Sequence, residues 1–212
     1  MNEMHAKFSG QVAELIDRLS RLTRELQYVD NLNPAQWEAL RFICRANKYS
    51  RTPGALAEFL GTTKGTTSQT LISLESKGFI RKVRSQTDRR VIQLELSEAG
   101  EDMVLRDPIL KIQRMADALD PRTGAQIVQG LSRLLRDMQT EVGAKEFGFC
   151  AACDQYQGTS CGSDPELSHC GLTGEPIDPS DLERICVNFL PTRPADTDED
   201  AEPAAGQPSP GI

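Results

Sequence analysis

Apolar residues recur at helical spacing over the first two thirds of the chain, and the polar residues between them mark where each helix begins and ends. Spacings of three and four predict amphipathic helices at residues 6–29, 34–47, 53–60, 64–77, 98–119 and 121–142. Asn33, Thr52 and Ser97 directly precede three of them, as N-terminal capping residues do. Asp107-Pro108 predicts a bend in the helix at 98–119.

The period changes after Gly78. Residues 79–84 and 90–96 alternate partly between apolar and polar side chains, which predicts two strands around a polar loop. A short helix, a turn with glycine, a longer helix and a basic hairpin are typical of a winged helix-turn-helix. The predicted fold class is therefore mainly α with a small β-wing. Its long N- and C-terminal helices have wide apolar faces, which suggests dimerisation with a second copy.

The last third of the chain has a different composition. Residues 147–190 contain glycine, aspartate and cysteine without a helical period, and residues 191–212 are rich in proline, alanine and acid. The tail has too few apolar groups to fold. The sequence thus predicts a winged helix-turn-helix and dimerisation domain at 6–146, a Cys-rich metal-binding module at 147–190 and a disordered acidic tail at 191–212.

Charge is distributed unevenly along the chain. The net charge of −7 argues against a nucleic-acid partner, but residues 45–90 contain 10 basic and only 3 acidic residues. The acidic excess lies mainly in residues 150–212, with 12 acidic and 2 basic residues. A phosphate-binding surface needs local positive charge, so the winged segment remains a candidate for DNA binding.

Five short segments of the winged region carry a family pattern. They are LAEFLG at 56–61, TKGTTS at 63–68, LESKGFI at 74–80, DRR at 88–90 and LELSEAG at 94–100. With the order of helices, they resemble the MarR family of bacterial regulators over roughly residues 8–142. The resemblance implies a homodimer on pseudo-palindromic DNA, usually a repressor, released by a small ligand or by oxidation. The family often has a further acidic residue shortly before Asp-Arg-Arg, where this chain has Ser85-Gln86-Thr87.

The N-terminal part of a recognition helix faces the bases, and the wing reaches the neighbouring groove. Hydroxyl, amide and amine groups of the recognition helix are predicted to contact DNA at Thr63, Lys64, Gly65, Thr66, Thr67, Gln69 and Thr70. Arg89 and Arg90 are predicted to enter the minor groove, with Asp88 orienting an arginine or capping the turn. Arg81, Lys82 and Arg84 would contact phosphates. The alternative interpretation is a solvated polar surface.

Five of the six cysteines lie between residues 150 and 186. Cys150 and Cys153 place two thiolates on one tight turn, which is half of a tetrahedral sulfur site. Cys170 and Cys186, each among apolar neighbours, complete the predicted set of four metal ligands. A segment as short as 147–190 rarely forms a sufficient core, so metal ligation would stabilise it.

The spacing does not identify the metal. It lacks both the ferredoxin run of cysteines and the paired cysteines of zinc ribbons, so zinc and an iron–sulfur cluster stay open. Cys161 lies in a polar loop and is left as a spare thiol, and His169 is predicted not to ligate. A cluster would sense redox or metal state and act through the adjacent C-terminal dimer helix. Cys44 is predicted to be a packed core thiol.

The predicted function is a cytoplasmic, DNA-binding, dimeric repressor whose partners are double-stranded DNA and a second copy. A small-molecule effector is a further candidate partner. The alternatives are a ligand-responsive regulator with a structural zinc tail, and a cluster-bearing electron-transfer or interaction protein. His5 and His169 are the only histidines, and no catalytic arrangement of serine, cysteine or histidine is evident, so we do not expect an enzyme. The polar start and the lack of long apolar runs predict neither a signal peptide nor a membrane helix.

Overall fold

The computed structural model describes residues 3–85, 89–158 and 168–192, with the backbone alone at 3–7. The helices are α1 (Glu3–Leu26), α2 (Pro34–Arg45), α3 (Pro53–Phe59), α4 (Lys64–Ser76), α5 (Glu98–Val104), α6 (Ile109–Asp117) and α7 (Pro121–Val142). The strands are β1 (Ile80–Arg84), β2 (Ile92–Leu96), β3 (Gly148–Phe149), β4 (Tyr156–Gln157), β5 (His169–Cys170) and β6 (Ile185–Cys186). The predicted fold class, mainly helical with a small β-wing, is confirmed.

Three sequence predictions concern residues outside these ranges. They are the role of Asp88 in the wing, the spare thiol of Cys161 and the disorder of the acidic tail beyond residue 192.

Side-chain caps fix the starts of the helices at the predicted places. Asn33 accepts a hydrogen bond from the Gln36 N–H, and the Gln36 side chain accepts one from the Asn33 N–H, which is a capping box. Thr52, Ser97 and Asp120 each accept a backbone N–H of the first turn of their helix. The beginnings of α2, α3, α5 and α7 therefore follow from local hydrogen bonding.

One hydrophobic core lies between α2, α3, α4 and the wing. Its fully buried side chains include Trp37, Leu40, Leu56, Leu71, Leu74 and Leu94. Ile185 and Val187 of the cysteine-rich segment are buried in the same core. The same hydrophobic core therefore contains residues from both sides of the predicted domain boundary after residue 146.

Two apolar side chains lie outside the core. Ile72 is 49% exposed, because it projects from the outer side of α4 while Leu71 and Leu74 face inward. Cys44 is half-buried, so the prediction of a packed core thiol is wrong.

The wing is an antiparallel pair, with a register running from Ile80 opposite Leu96 to Arg84 opposite Ile92. The helix α5 follows at once and packs against the beginning of β1. A Cβ atom on Gly100 would lie 2.0 Å from the carbonyl oxygen of Phe79. Only glycine allows this close contact between helix and strand.

The long helices extend beyond the core. Among the described residues, α6 and α7 bury no side chain, and every described side chain of α1 is at least partly exposed. Their exposed apolar residues include Leu15, Leu19, Leu22, Leu131, Leu135 and Met138.

The predicted bend falls between α5 and α6. At this point Asp107 forms an ion pair with Arg41, with 2.7 Å between the two charged groups. Within the described ranges, no helix is both long and apolar enough to cross a bilayer.

Replacing Gly100 with alanine tests the contact between α5 and β1. Because the added methyl group would meet backbone, we expect Gly100→Ala to lower the free energy of unfolding by about 1–3 kcal/mol, measured by urea denaturation. Gly54→Ala in α3 is the matched control, since nothing lies within 4 Å of its added Cβ. The control should raise stability by about 0.5–1 kcal/mol. Unchanged stability of Gly100→Ala would contradict this account of the packing.

Candidate nucleic-acid interface and cysteine cluster

The helix-turn-helix consists of α3, a turn at 60–63 and α4. Gly61 has a φ of 59° in this turn, a left-handed conformation that glycine adopts without strain. Thr63 then caps α4 by accepting the N–H of Thr66 at 3.2 Å. Leu71 and Leu74 bury the inner side of α4, so its N-terminal outer side is presented to solvent.

Most of the predicted contact residues of α4 lie on that outer side. Those with exposed side chains or backbone are Thr63, Lys64, Gly65, Thr66 and Gln69, and Thr70 is half-buried. The Thr70 hydroxyl donates to the Thr66 carbonyl at 3.2 Å. A row of polar groups that can contact bases or phosphates thus follows one edge of the helix.

Thr67 is an exception to the prediction. Its side chain is 1% exposed, and its hydroxyl lies 2.9 Å from that of Thr62. It therefore fastens the turn to α4 and is not presented to DNA. The sequence already indicated that Thr67 faces inward, because it precedes the buried Leu71 by four residues and therefore lies on the same side of the helix.

The basic residues of the wing fall into two groups. Lys82 forms an ion pair with Glu75 of α4 at 2.7 Å, and Arg81 lies 3.9 Å from Glu95. Exposed pairs of this kind contribute little to stability, so both cations can exchange their partners for phosphate. The second group, Arg84, Arg89 and Arg90, is exposed at the far end of the hairpin.

The cysteine-rich segment folds by two short strand pairings. Gly148 lies opposite Cys186 in the pairing of β3 with β6, and Tyr156 lies opposite Cys170 in the pairing of β4 with β5. The strand β3 leads into a 3₁₀ turn, Cys150–Ala152. The Cys153 N–H closes this turn by donating to the Cys150 carbonyl at 3.1 Å.

Burial favours the neutral thiol of Cys150. The pKa of this thiol is raised to about 11, first by burial and then by the charge of Cys186, with smaller contributions from Cys153 and Cys170. A hydrogen bond from the Asn47 side chain acts in the opposite direction. Metal binding at Cys150 would therefore require the loss of a firmly held proton.

Two of the sulfurs accept hydrogen bonds from the backbone. Burial raises the pKa of the Cys170 thiol. Hydrogen bonds from the Thr173 N–H, the Thr173 hydroxyl and the Leu172 N–H lower this pKa by more, so that it lies below its ordinary value. The Leu190 N–H lies 3.5 Å from the Cys153 sulfur. Donors directed at sulfur favour the thiolate, which is the form that binds metals.

The structure does not show the predicted metal site. Across the residues that the structure describes, no group of three or more His, Cys, Asp or Glu side chains is arranged so that it could hold a metal ion. The predicted ligands Cys150, Cys153, Cys170 and Cys186 therefore do not form a coordination site in this conformation.

Sequence reasoning missed where the cysteine-rich segment attaches. The segment 184–187 lies against the loop 46–52 between α2 and α3. The Asn47 N–H donates to the Ile185 carbonyl at 2.9 Å, and the Val187 N–H donates to the Ser50 hydroxyl at 2.9 Å. Arg184 adds a hydrogen bond to the Cys44 carbonyl at 2.9 Å. The apolar pair around Cys186 was the available indication of a buried strand.

One further contact joins the cysteine-rich segment to the loop between α2 and α3, because the Tyr49 hydroxyl donates to Glu175 at 2.7 Å. Just before the segment, Lys145 pairs with Glu58 near the end of α3 at 2.8 Å.

Comparison with known sequences agrees with this architecture. The MarR family model matches residues 30–91. A relative from Bacillus subtilis, named an uncharacterized HTH-type transcriptional regulator, YfiV, is 29% identical over 87 residues, covering 40% of this chain and 54% of the relative. The chain therefore spans about half the length of this relative.

Solved structures extend the likeness to the fold. A MarR family protein from Bacillus stearothermophilus is 26% identical with a TM-score of 0.50, covering 68% of this chain and 99% of that protein. Streptococcus pneumoniae FabT, solved in complex with DNA, is 22% identical with a TM-score of 0.51, covering 64% of this chain and 98% of its own. Residues 30–91 are therefore similar to the MarR family model, and the chain shares the fold of these solved structures.

Proposed function

We propose that this protein is a sequence-specific, DNA-binding transcriptional regulator. The observation that carries the proposal is the exposed polar edge of α4 beside an arginine-bearing wing. FabT, which has the same fold, was solved in complex with DNA, and this supports a similar use of the surface here.

The two parts of this surface have different tasks. Gln69 and Thr66 on α4 carry groups that can hydrogen-bond base edges in a major groove, which gives sequence preference. Arg84 and Arg89 on the wing would bind phosphates or a narrow minor groove, which gives affinity. Bound at a promoter, such a protein acts most simply as a repressor by occupying the site.

Arginine substitutions in the wing test the proposed interface. We expect Arg84→Gln and Arg89→Gln each to weaken binding to all DNA sequences and to reduce the slope of log affinity against log salt by about 1, because each removes a phosphate contact. Fluorescence anisotropy with a duplex selected from a random-sequence pool measures both. Arg133→Gln on α7, where the arginine is exposed and paired with Asp137, is the control. Loss of affinity in the control but in neither wing variant would overturn the proposed interface.

We further propose that the protein is a homodimer through α1, α6 and α7. These helices present contiguous apolar side chains that the described chain does not cover, among them Leu131, which is 47% exposed. Large exposed apolar surfaces of this kind mark interfaces. A second copy is the natural partner because a pseudo-palindromic DNA site requires two recognition helices.

A charge on the apolar side of α7 tests the dimer. Leu131→Asp should shift the protein to the monomer in sedimentation velocity, since a carboxylate would be buried in the interface without a partner. Gln129→Asp, on the exposed side of the same helix, adds the same charge and should leave the dimer intact. A dimer that persists in Leu131→Asp would place the interface elsewhere.

We also propose that Cys150, Cys153, Cys170 and Cys186 together bind a metal centre. The tight turn that carries Cys150 and Cys153, the strand pairings that include Cys170 and Cys186, and the Leu190 N–H directed at Cys153 support this. Zinc and an iron–sulfur cluster both accept four thiolates, and a cluster would make the protein a redox sensor.

Metal analysis of protein purified without oxygen tests this centre. We expect either one zinc per chain or iron with sulfide and visible absorption, and we expect Cys150→Ser to lose it because three thiolates hold the metal less tightly. Cys44→Ser, which changes a cysteine outside the set, is the control and should keep the metal. Iron and sulfide would favour the redox sensor, and zinc would favour a structural role. Neither metal above trace levels in the wild type would refute the proposal.

A further inference from the structure

The outer side of α4 carries one large apolar side chain, Ile72, among polar neighbours. Ile72 is 49% exposed, whereas Leu71 and Leu74 on the inner side are at most 1% exposed. An isoleucine here adds nothing to the core, and β-branched residues form helices less readily than alanine does. The packing of the described chain therefore does not account for this isoleucine.

Ile72 shares one side of the helix with two of the predicted DNA-contacting residues. Gly65, Gln69 and Ile72 are four and three residues apart, so helical geometry places them one above another. All three are exposed, and they face away from the buried Leu71 and Leu74. The apolar side chain therefore continues the polar surface that we propose for contact with bases.

Contacts on the two flanks of α4 show which surface Ile72 occupies. On one flank, the Gln36 side chain of α2 donates to the Ser73 hydroxyl at 2.8 Å. On the other flank, Glu75 pairs with Lys82 of the wing at 2.7 Å. Helical spacing places Ile72 between Ser73 and Glu75 on the outer side. It therefore lies on the surface of α4 that α2 and the wing leave uncovered.

Gly65, at the start of the same side, is not required by the fold. A Cβ atom at this position would lie 3.8 Å from the Thr63 hydroxyl oxygen, which is an ordinary van der Waals distance. Glycine in a helix is less favourable than alanine, so the absence of a side chain has a cost without a benefit to packing. It leaves room for a second molecule to approach α4 closely, beside Gln69 and Ile72.

We propose that Ile72 is a specificity-determining residue that packs against the methyl group of a thymine in the major groove. This inference deepens the proposed DNA-binding function and rests on it. Among the four bases, thymine presents a methyl group in that groove, and the amide of Gln69 suits an adenine edge. An isoleucine has no hydrogen-bonding group in its side chain, so it favours the methyl group over the polar edges of the other bases.

The spacing along α4 predicts where this thymine lies. Three residues of an α-helix rise about 4.5 Å, and successive base pairs rise about 3.4 Å. Helical side chains also lean towards the N-terminus of their helix, which brings the end of Ile72 towards Gln69. The preferred half-site therefore has a thymine within one base pair of the base pair that Gln69 contacts.

Replacing thymine with deoxyuridine tests the contact in the wild-type protein. The replacement removes the methyl group and keeps every hydrogen-bonding group of the base. Each thymine of the selected duplex is replaced singly, and fluorescence anisotropy measures the affinity. Gln69→Ala locates its base pair as the position at which base preference is lost. Within one base pair of it, we expect deoxyuridine to lower wild-type affinity by about 4-fold, the effect of exposing one buried CH₂ group.

Ile72→Ala tests whether this methyl effect belongs to Ile72. The variant should fold as the wild type does, because the side chain is exposed and alanine favours a helix. It should bind the thymine duplex about 4-fold more weakly and no longer distinguish thymine from deoxyuridine at that position. Leu172→Ala, which shortens an exposed apolar side chain outside α4, is the matched control and should keep the full methyl effect.

The outcomes separate this contact from DNA binding as such. A methyl effect of unchanged size in Ile72→Ala would overturn the inference. So would a wild type that binds its selected duplex without any methyl effect beside the Gln69 position. The proposed DNA-binding function would stand in both cases. Failure of the wild type to bind any duplex would instead refute the proposed function, and the inference with it.

Discussion

The polar loop between α2 and α3 is the constraint on which the arrangement of this protein depends. Asn47 and Ser50 are enclosed by the core and have lost contact with water, so they require hydrogen-bond partners inside the protein. Segment 184–187 supplies those partners from the far end of the chain. Because the same loop ends at the cap of α3 and hydrogen-bonds strand β2, its hydrogen bonds help to decide where α3 and β2 lie.

This constraint also explains why the cysteine-rich segment is not a separate appendage. A segment with so few large apolar residues gains little by folding alone. Ile185 and Val187 instead complete the core of the winged helix. Phe147 also packs edge-on against Phe59 of α3, with 5.2 Å between the two ring centroids. The segment therefore shares a core that already exists.

The surfaces of the molecule divide by physical character. The basic residues gather around α4 and the wing, whereas the cysteine-rich segment and the tail carry most of the acidic excess. The exposed apolar side chains of α1 and α7 belong to other parts of the sequence than the basic residues. They are the surface that we propose for association between copies.

The sequence by itself determined the features that arise from interactions over a few residues. Capping by Asn33 and Ser97 fixed helix starts, helical spacing gave α7 with its observed bounds, Pro121–Val142, and the Cys-x2-Cys spacing identified a tight turn with two thiols. Tertiary structure decided the rest. Thr67 turns inward because the turn before α4 needs its hydroxyl, and Ile72 stays outside because Leu71 and Leu74 fill the core. The bond between Ser50 and Val187 joins residues 137 positions apart. Such pairing depends on packing across the whole fold and leaves no periodic pattern along the chain.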